Sequence, residues 1–349
     1  MWQRIVRSRW FYGLLILSTV LIYLLLRPHT ERPSREPSLS TEPQSLELWP
    51  KELDVTTLQA TLMQQPLLAA TFVVVMLMAA FFMIGGVVLT VRGVWKGALK
   101  QFWKFPERQL PSWSFGEVTR IIVLALFMIC FLPIAQLFLT HHDVLPPLDF
   151  HAGLTVSMFF LDVFVGMLII VFARTKGPSL RDVFGLEDAH TQSAIRIGLR
   201  SYWTAFPWLF GLLMIVAYVM RMFHIQQPVE PIQELVFGEQ RPAVLGLIVL
   251  LACTVGPAVE ELFFRGVLYP AIRQRTSRLI GMLISGAIFA LLHTNIAGFI
   301  PIMALGCLLA YLYERTGSIA APLAVHIVHN SFLISTAFVF RQLMASAGG

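Results

Sequence analysis

Apolar residues fall in nine blocks, each long enough or nearly long enough to cross a bilayer as a helix: 11–26, 67–91, 121–140, 154–173, 205–220, 244–269, 279–293, 299–313 and 322–340. The pattern predicts an all-α fold, a polytopic membrane helix bundle of about eight core spans plus one N-terminal anchor helix. Between the first two blocks, residues 27–65 are rich in Pro, Ser, Thr and Glu and lack apolar periodicity, which reads as an extracytoplasmic linker. Between the fourth and fifth blocks, the stretch 178–201 with GLEDAH in its middle is the one sizeable polar segment and suits an amphipathic interfacial helix. The chain therefore divides into an anchor at 1–26, a linker at 27–66, membrane helices at 67–240 and a motif-bearing region at 241–345.

Composition agrees with the pattern. Of 349 residues 56% are hydrophobic and 13% charged, about half the charge of an ordinary soluble protein. The net charge of +6 does not imply a nucleic-acid partner, because the basic residues cluster in short loops beside apolar blocks. Arg92, Lys96, Lys100, Lys104 and Arg108 mark one cytoplasmic loop; Arg174, Lys176, Arg181, Arg196 and Arg200 a second; Arg273, Arg275 and Arg278 a third. Arg4, Arg7 and Arg9 place the N-terminus in the cytoplasm, and the alternation leaves the C-terminus outside. A cleavable signal peptide shares that start, but no small-residue cleavage site follows Leu26, so the first block is expected to be a retained anchor. Trp103, Trp113, Trp203 and Trp208 lie near block ends, as interfacial aromatics do. Cys130, Cys253 and Cys307 have no paired spacing and read as small packing residues.

Charges inside the apolar blocks are the chemically informative residues. Glu260 and Glu261 are adjacent within the sixth block, and an ionised group at membrane depth costs at least ~2.5–3.5 kcal/mol on insertion scales. At about 100° per residue, Arg265 lies about 40° from Glu261 and about 140° from Glu260. Arg265 is thus expected to neutralise Glu261 and to leave Glu260 on another face. Phe289 and His293 are four apart, as are His326 and Asn330, so each pair shares a helix face. Glu260 and His293 lie almost equally far from the turn near 275–278, which predicts that antiparallel packing brings them to the same depth. His329 sits on a face next to that of His326. Asp162, alone in the fourth block, reads as a residue bonded to a neighbouring helix rather than a catalytic one.

A carboxylate that deprotonates water, an imidazole beside it, and His and Asn donors aimed at a developing oxyanion would hydrolyse a peptide bond without a Ser or Cys nucleophile. The same atoms, Glu260, His293 and His326, also match the ligand set of hydrolytic zinc sites, although HExxH is absent. No cofactor is called for on the first reading, and a divalent metal is the alternative.

Three motifs in order, Glu260-Glu261-Leu-Phe-Phe-Arg265, Phe289-Ala-Leu-Leu-His293 and His326-Ile-Val-His-Asn330, resemble the EExxxR, FxxxH and HxxxN pattern of the CAAX protease and bacteriocin-processing (Abi) family of intramembrane endopeptidases. The likeness covers roughly residues 243–340. It implies Glu260 as the water-activating base, His293 as its assistant, His326 and Asn330 as the oxyanion site, and Glu261, Arg265 and Phe289 as support. It further implies a membrane-associated protein or peptide substrate and a prokaryotic plasma membrane, with the glutamate-type mechanism favoured over the metallo-type. Two other classes stay open: a non-catalytic immunity or scaffold protein that keeps the motifs for stability, and a transporter relaying protons through its carboxylates.

Overall fold

The computed structural model describes residues 9–26, 55–97, 104–107, 110–225, 231–293 and 298–347. Their regular structure is helical throughout. Seven helices are long and apolar enough to cross a membrane, and the two shorter apolar ones, Phe11–Val20 and Arg278–Leu292, coincide with the first and seventh blocks. In chain order the elements are α1 (Arg9–Leu26), α2 (Val55–Gln64), α3 (Pro66–Trp95), α4 (Phe115–His141), α5 (Phe150–Ala173), α6 (Leu180–Phe184), α7 (Asp188–Met222), α8 (Pro231–Gly238), α9 (Pro242–Arg273), α10 (Arg278–Leu292), α11 (Phe299–Thr316) and α12 (Ala320–Ala347).

Local signals place the ends. Ser114 caps α4 in a reciprocal box with Glu117, Asp149 caps α5 through the Ala152 amide, and Ser277 caps α10. Most of the expected linker, residues 27–54, lies outside the described residues, as do Arg4, Arg7, Lys100, Trp103 and Arg108. Its end differs from expectation: residues 55–64 form α2, which packs on α12. The polar stretch 178–201 is likewise not one interfacial helix. It is the short α6, stopped at Gly185, followed by a helix that starts at Asp188 and continues as the span. Gly185 and Gly317, both at φ +66°, end α6 and α11 back to back. A Cβ on Gly185 would collide with the Gly317 carbonyl, and the Ile319 amide donates to Phe184 O at 3.0 Å. That contact fixes where α12 begins.

Trp113 differs from an interfacial tryptophan. It is fully buried, with the Lys176 ammonium 4.9 Å from its ring centroid. Lys176 also binds Glu117 at 2.6 Å, so the basic end of α5 is tied down beneath α4.

The motif helix α9 contains two π turns, Leu251–Val255 and Phe264–Leu268, each followed two residues later by a proline, Pro257 and Pro270. Proline offers no N–H to the carbonyl four residues back and its ring crowds that carbonyl, and a widened turn relieves both. The sixth block ends at 269, and the helix runs on through Pro270 to Arg273.

Ion pairs lock the ends of the core. At the basic end, Glu314 of α11 accepts from Tyr269 Oη at 2.8 Å and Arg278 Nε at 2.7 Å, joining α9, α10 and α11. At the opposite end, Glu239 is buried between α8 and α9, where Arg241 and the amides of Gln240 and Arg241 bind it. Arg241 and its hydrogen bonds hold the Glu239 carboxyl down at about 2. Such a depressed group stabilises the fold fully above its unfolded pKa of about 4.3, and the stabilisation fades as pH falls toward 2. Glu239→Gln is therefore expected to lower the melting temperature of the purified protein at pH 7. It is also expected to flatten the decline in melting temperature between about pH 4.5 and pH 2, as read by scanning fluorimetry across that range.

Candidate functional site: a carboxylate and imidazole cluster inside the bundle

Glu261 and Arg265 are four apart and both fully buried, and Arg265 Nη1 donates to Glu261 Oε1 at 2.9 Å. Both terminal nitrogens of the guanidinium are bonded. Nη2 donates to the Gly306 carbonyl of α11 at 3.0 Å, and the cation lies 4.8 Å from the Phe289 ring centroid and 5.6 Å from that of Phe264. Gly306 is accessible because α10 and α11 meet glycine to glycine: a Cβ on Gly306 would sit 2.9 Å from Gly286 Cα. Phe289 is the hub of this packing, edge-on to Phe264 at 5.0 Å and to His326 at 5.6 Å.

His326 stands in α12 about two turns from its start and is almost wholly buried. Its Nδ1 lies 2.8 Å from Glu261 Oε1, the oxygen that also takes Arg265. A carboxylate paired to arginine accepts, so Nδ1 carries the proton and Nε2 faces the other way. There it lies 3.6 Å from Glu260 Oε2. Glu260 has a side chain 36% exposed, but Oε2 itself is buried and has no hydrogen-bond partner in the protein. The result is a row: Arg265, Glu261, His326, Glu260.

The expected pairing of Glu261 with Arg265, which leaves Glu260 on another face, is present in the geometry. The imidazole in direct contact with Glu260 is that of His326. His293 caps the end of α10, where its Nδ1 bonds Phe289 O of the same helix at 2.9 Å. Its ring packs on Phe289 at 4.7 Å, and no hydrogen bond or ion pair joins it directly to Glu260 among the described residues.

Asn330, one turn beyond His326, also faces α9. Its Nδ2 donates at 2.8 Å to Ala252 O, a carbonyl of the first π turn. One amide hydrogen is used and the other is left. His329, on the neighbouring face, turns to α7, with Nδ1 2.9 Å from Tyr202 Oη. The two hydrogen bonds set the rotation of α12, and Tyr202 was not singled out from sequence because nothing marks a span tyrosine as a partner of a distant histidine. Among the described residues no group of three His, Cys, Asp or Glu side chains is placed to hold a metal ion, and Glu260, His293 and His326 do not come together as a ligand set.

Residues 242–332 match the family model described as Type II CAAX prenyl endopeptidase Rce1-like. Over 88 residues the chain is 32% identical to the "Putative membrane peptidase YdiL" of Bacillus subtilis (strain 168), covering 25% of this chain and 36% of that protein. Over 130 residues it is 28% identical to the "Membrane-embedded CAAX protease MroQ" of Staphylococcus aureus (strain USA300), covering 35% and 51%. The chain therefore spans about a third to a half of the length of these relatives. No solved structure matches. With seven apolar spans and bacterial relatives, the protein is a multi-pass integral membrane protein of a prokaryote.

Removing Glu261 would leave the Arg265 charge buried and the His326 Nδ1–H without its acceptor, a change of about 3–5 kcal/mol. Glu261→Gln is expected to reduce the folded protein recovered from membranes and to lower its melting temperature, whereas Glu260→Gln is expected to keep the recovery and not to lower the melting temperature. Tyr202→Phe is expected to destabilise by only about 1 kcal/mol, measured in the same thermal assay.

Proposed function

From the CAAX protease-like character of residues 242–332, we propose that the chain is an intramembrane endopeptidase that hydrolyses a peptide bond of a membrane-associated protein or peptide, in the plasma membrane. The observation that carries the reading is Glu260 Oε2. It is buried, without a partner in the protein, 3.6 Å from an imidazole nitrogen whose orientation Glu261 dictates.

In the proposed reaction Glu260 takes a proton from water as the water oxygen attacks the scissile carbonyl carbon. The carbonyl π electrons move to oxygen. That oxyanion is met by the free amide hydrogen of Asn330 and by the His326 ring. The proton on Glu260 then passes to the amide nitrogen as the C–N bond breaks, giving a carboxylic acid and an amine. Glu261 is the orienting carboxylate for His326, and Arg265 holds Glu261 in place. His293 enters on motif grounds, as a second imidazole whose Nδ1 is bonded to Phe289 O. No step of this scheme is routed through a metal.

The test compares cells carrying the intact chain with cells carrying Glu260→Gln, by terminal proteomics of membrane and released fractions. The expected outcome is at least one membrane-associated polypeptide whose new terminus appears only with the intact chain, while the variant accumulates normally in the membrane. Identical termini in both strains would reject proteolysis in favour of a binding role. Loss of the variant from the membrane would assign Glu260 to the fold.

A further inference from the structure

Asp162 is a second carboxylate near the middle of the bundle. It stands twelve residues into α5 and eleven from its end, so about 18 Å and about 16 Å of helix separate it from the two ends. Among the described residues no hydrogen bond or ion pair engages it, contrary to the expectation of a bond to a neighbouring helix. An unpartnered ionisable group at that depth is expensive to keep.

Packing says what it faces. α5 lies against the motif helix, with Val259 Cγ2 only 3.5 Å from where a Cβ on Gly166 would be. One turn earlier on the same face of α5, Asp162 Oδ2 lies 3.9 Å from where a Cβ on Gly256 would be. Gly256 is in turn one helical turn before Glu260, and the Asp162 and Glu260 carboxyls interact electrostatically. Without a Cβ, Gly256 puts no side chain of its own in front of the Asp162 carboxyl. The groups that face this space are Asp162 from α5, Glu260 from α9 and His326 Nε2 from α12, while the nearby Arg265 spends its amino groups on Glu261 and Gly306.

We propose that Asp162 is a positioning residue of the Glu260 site: the two carboxyls, one on each side of the Gly256 gap, hold between them the group on which Glu260 acts. The attacking water of the proposed hydrolysis, or the amine it releases, has the donors for this arrangement, since each offers hydrogens to two acceptors at once. The assignment rests on the proteolytic reading for its chemistry and on the packing of α5 against α9 for its geometry. The two parts are separable by experiment.

For the geometry, the full chain is purified in detergent as wild type, Asp162→Asn, Glu260→Gln and the double variant, and thermal unfolding is followed at neutral pH. Two carboxyls that oppose each other predict that each single variant melts higher, by about 1–2 °C for each kcal/mol relieved, and that the double variant gains clearly less than the sum. Additive shifts, or a lower melting temperature for Asp162→Asn, would overturn the proposal. For the chemistry, formation of the termini that depend on Glu260 is followed in Asp162→Asn, Asp162→Ala and Asp162→Glu. We expect at least a tenfold loss in the first two and partial recovery in the third. Normal processing in Asp162→Asn and Asp162→Ala rejects the positioning role while leaving the endopeptidase reading intact. Coupled melting temperatures without any dependent termini keep the two-carboxyl site and reject the endopeptidase reading.

Discussion

An ion pair in a place without water is the constraint from which the core is built. Glu261 and Arg265 are both fully buried, and neither would be tolerable alone at that depth. Their mutual bond satisfies only part of each group, so the surrounding helices supply the rest: the Gly306 carbonyl, the His326 ring, and the faces of Phe264 and Phe289. Every one of these comes from a different turn or a different helix. Satisfying one buried charge pair therefore fixes the mutual placement of α9, α10, α11 and α12.

The same constraint prepares the chemistry. Because Glu261 is already bound to Arg265, it accepts from His326 and decides which ring nitrogen is left toward Glu260. Glu260 Oε2 is left buried and without a partner in the protein, next to that nitrogen. The first π turn belongs to this arrangement as well. It widens the helix ahead of Pro257, and its Ala252 carbonyl anchors the Asn330 side chain facing α9.

Much of the site was legible because helical spacing is local. The separation of Glu261 from Glu260 by a single residue, with Arg265 one turn on, is a statement about angles on one helix and it survives in the structure despite the π turn at 264–268. The shared face of His326 and Asn330 is local in the same sense, and both side chains do turn to α9. Contacts between helices were less legible. Distance from a turn matched His293 and Glu260 in depth but did not show that His326, from a later helix, makes the direct contact with Glu260. Asp162 was harder still, since a charge in a span announces that it needs something but not from which side.

By itself, the order of residues determined the all-helical membrane architecture, because blocks of apolar residues as long as a bilayer is thick leave the backbone no other way to satisfy its hydrogen bonds. It also determined which charges are intramembrane, and which of them share a face. Tertiary structure alone decided that His326 Nε2 comes within 3.6 Å of Glu260, that Tyr202 binds His329, and that Asp162 of α5 lies against Gly256 of the motif helix. The physical reason is one of range. A helix's own geometry carries a few residues along the chain, whereas which side chain of another helix fills a given gap depends on glycines and rings that meet only when the bundle closes.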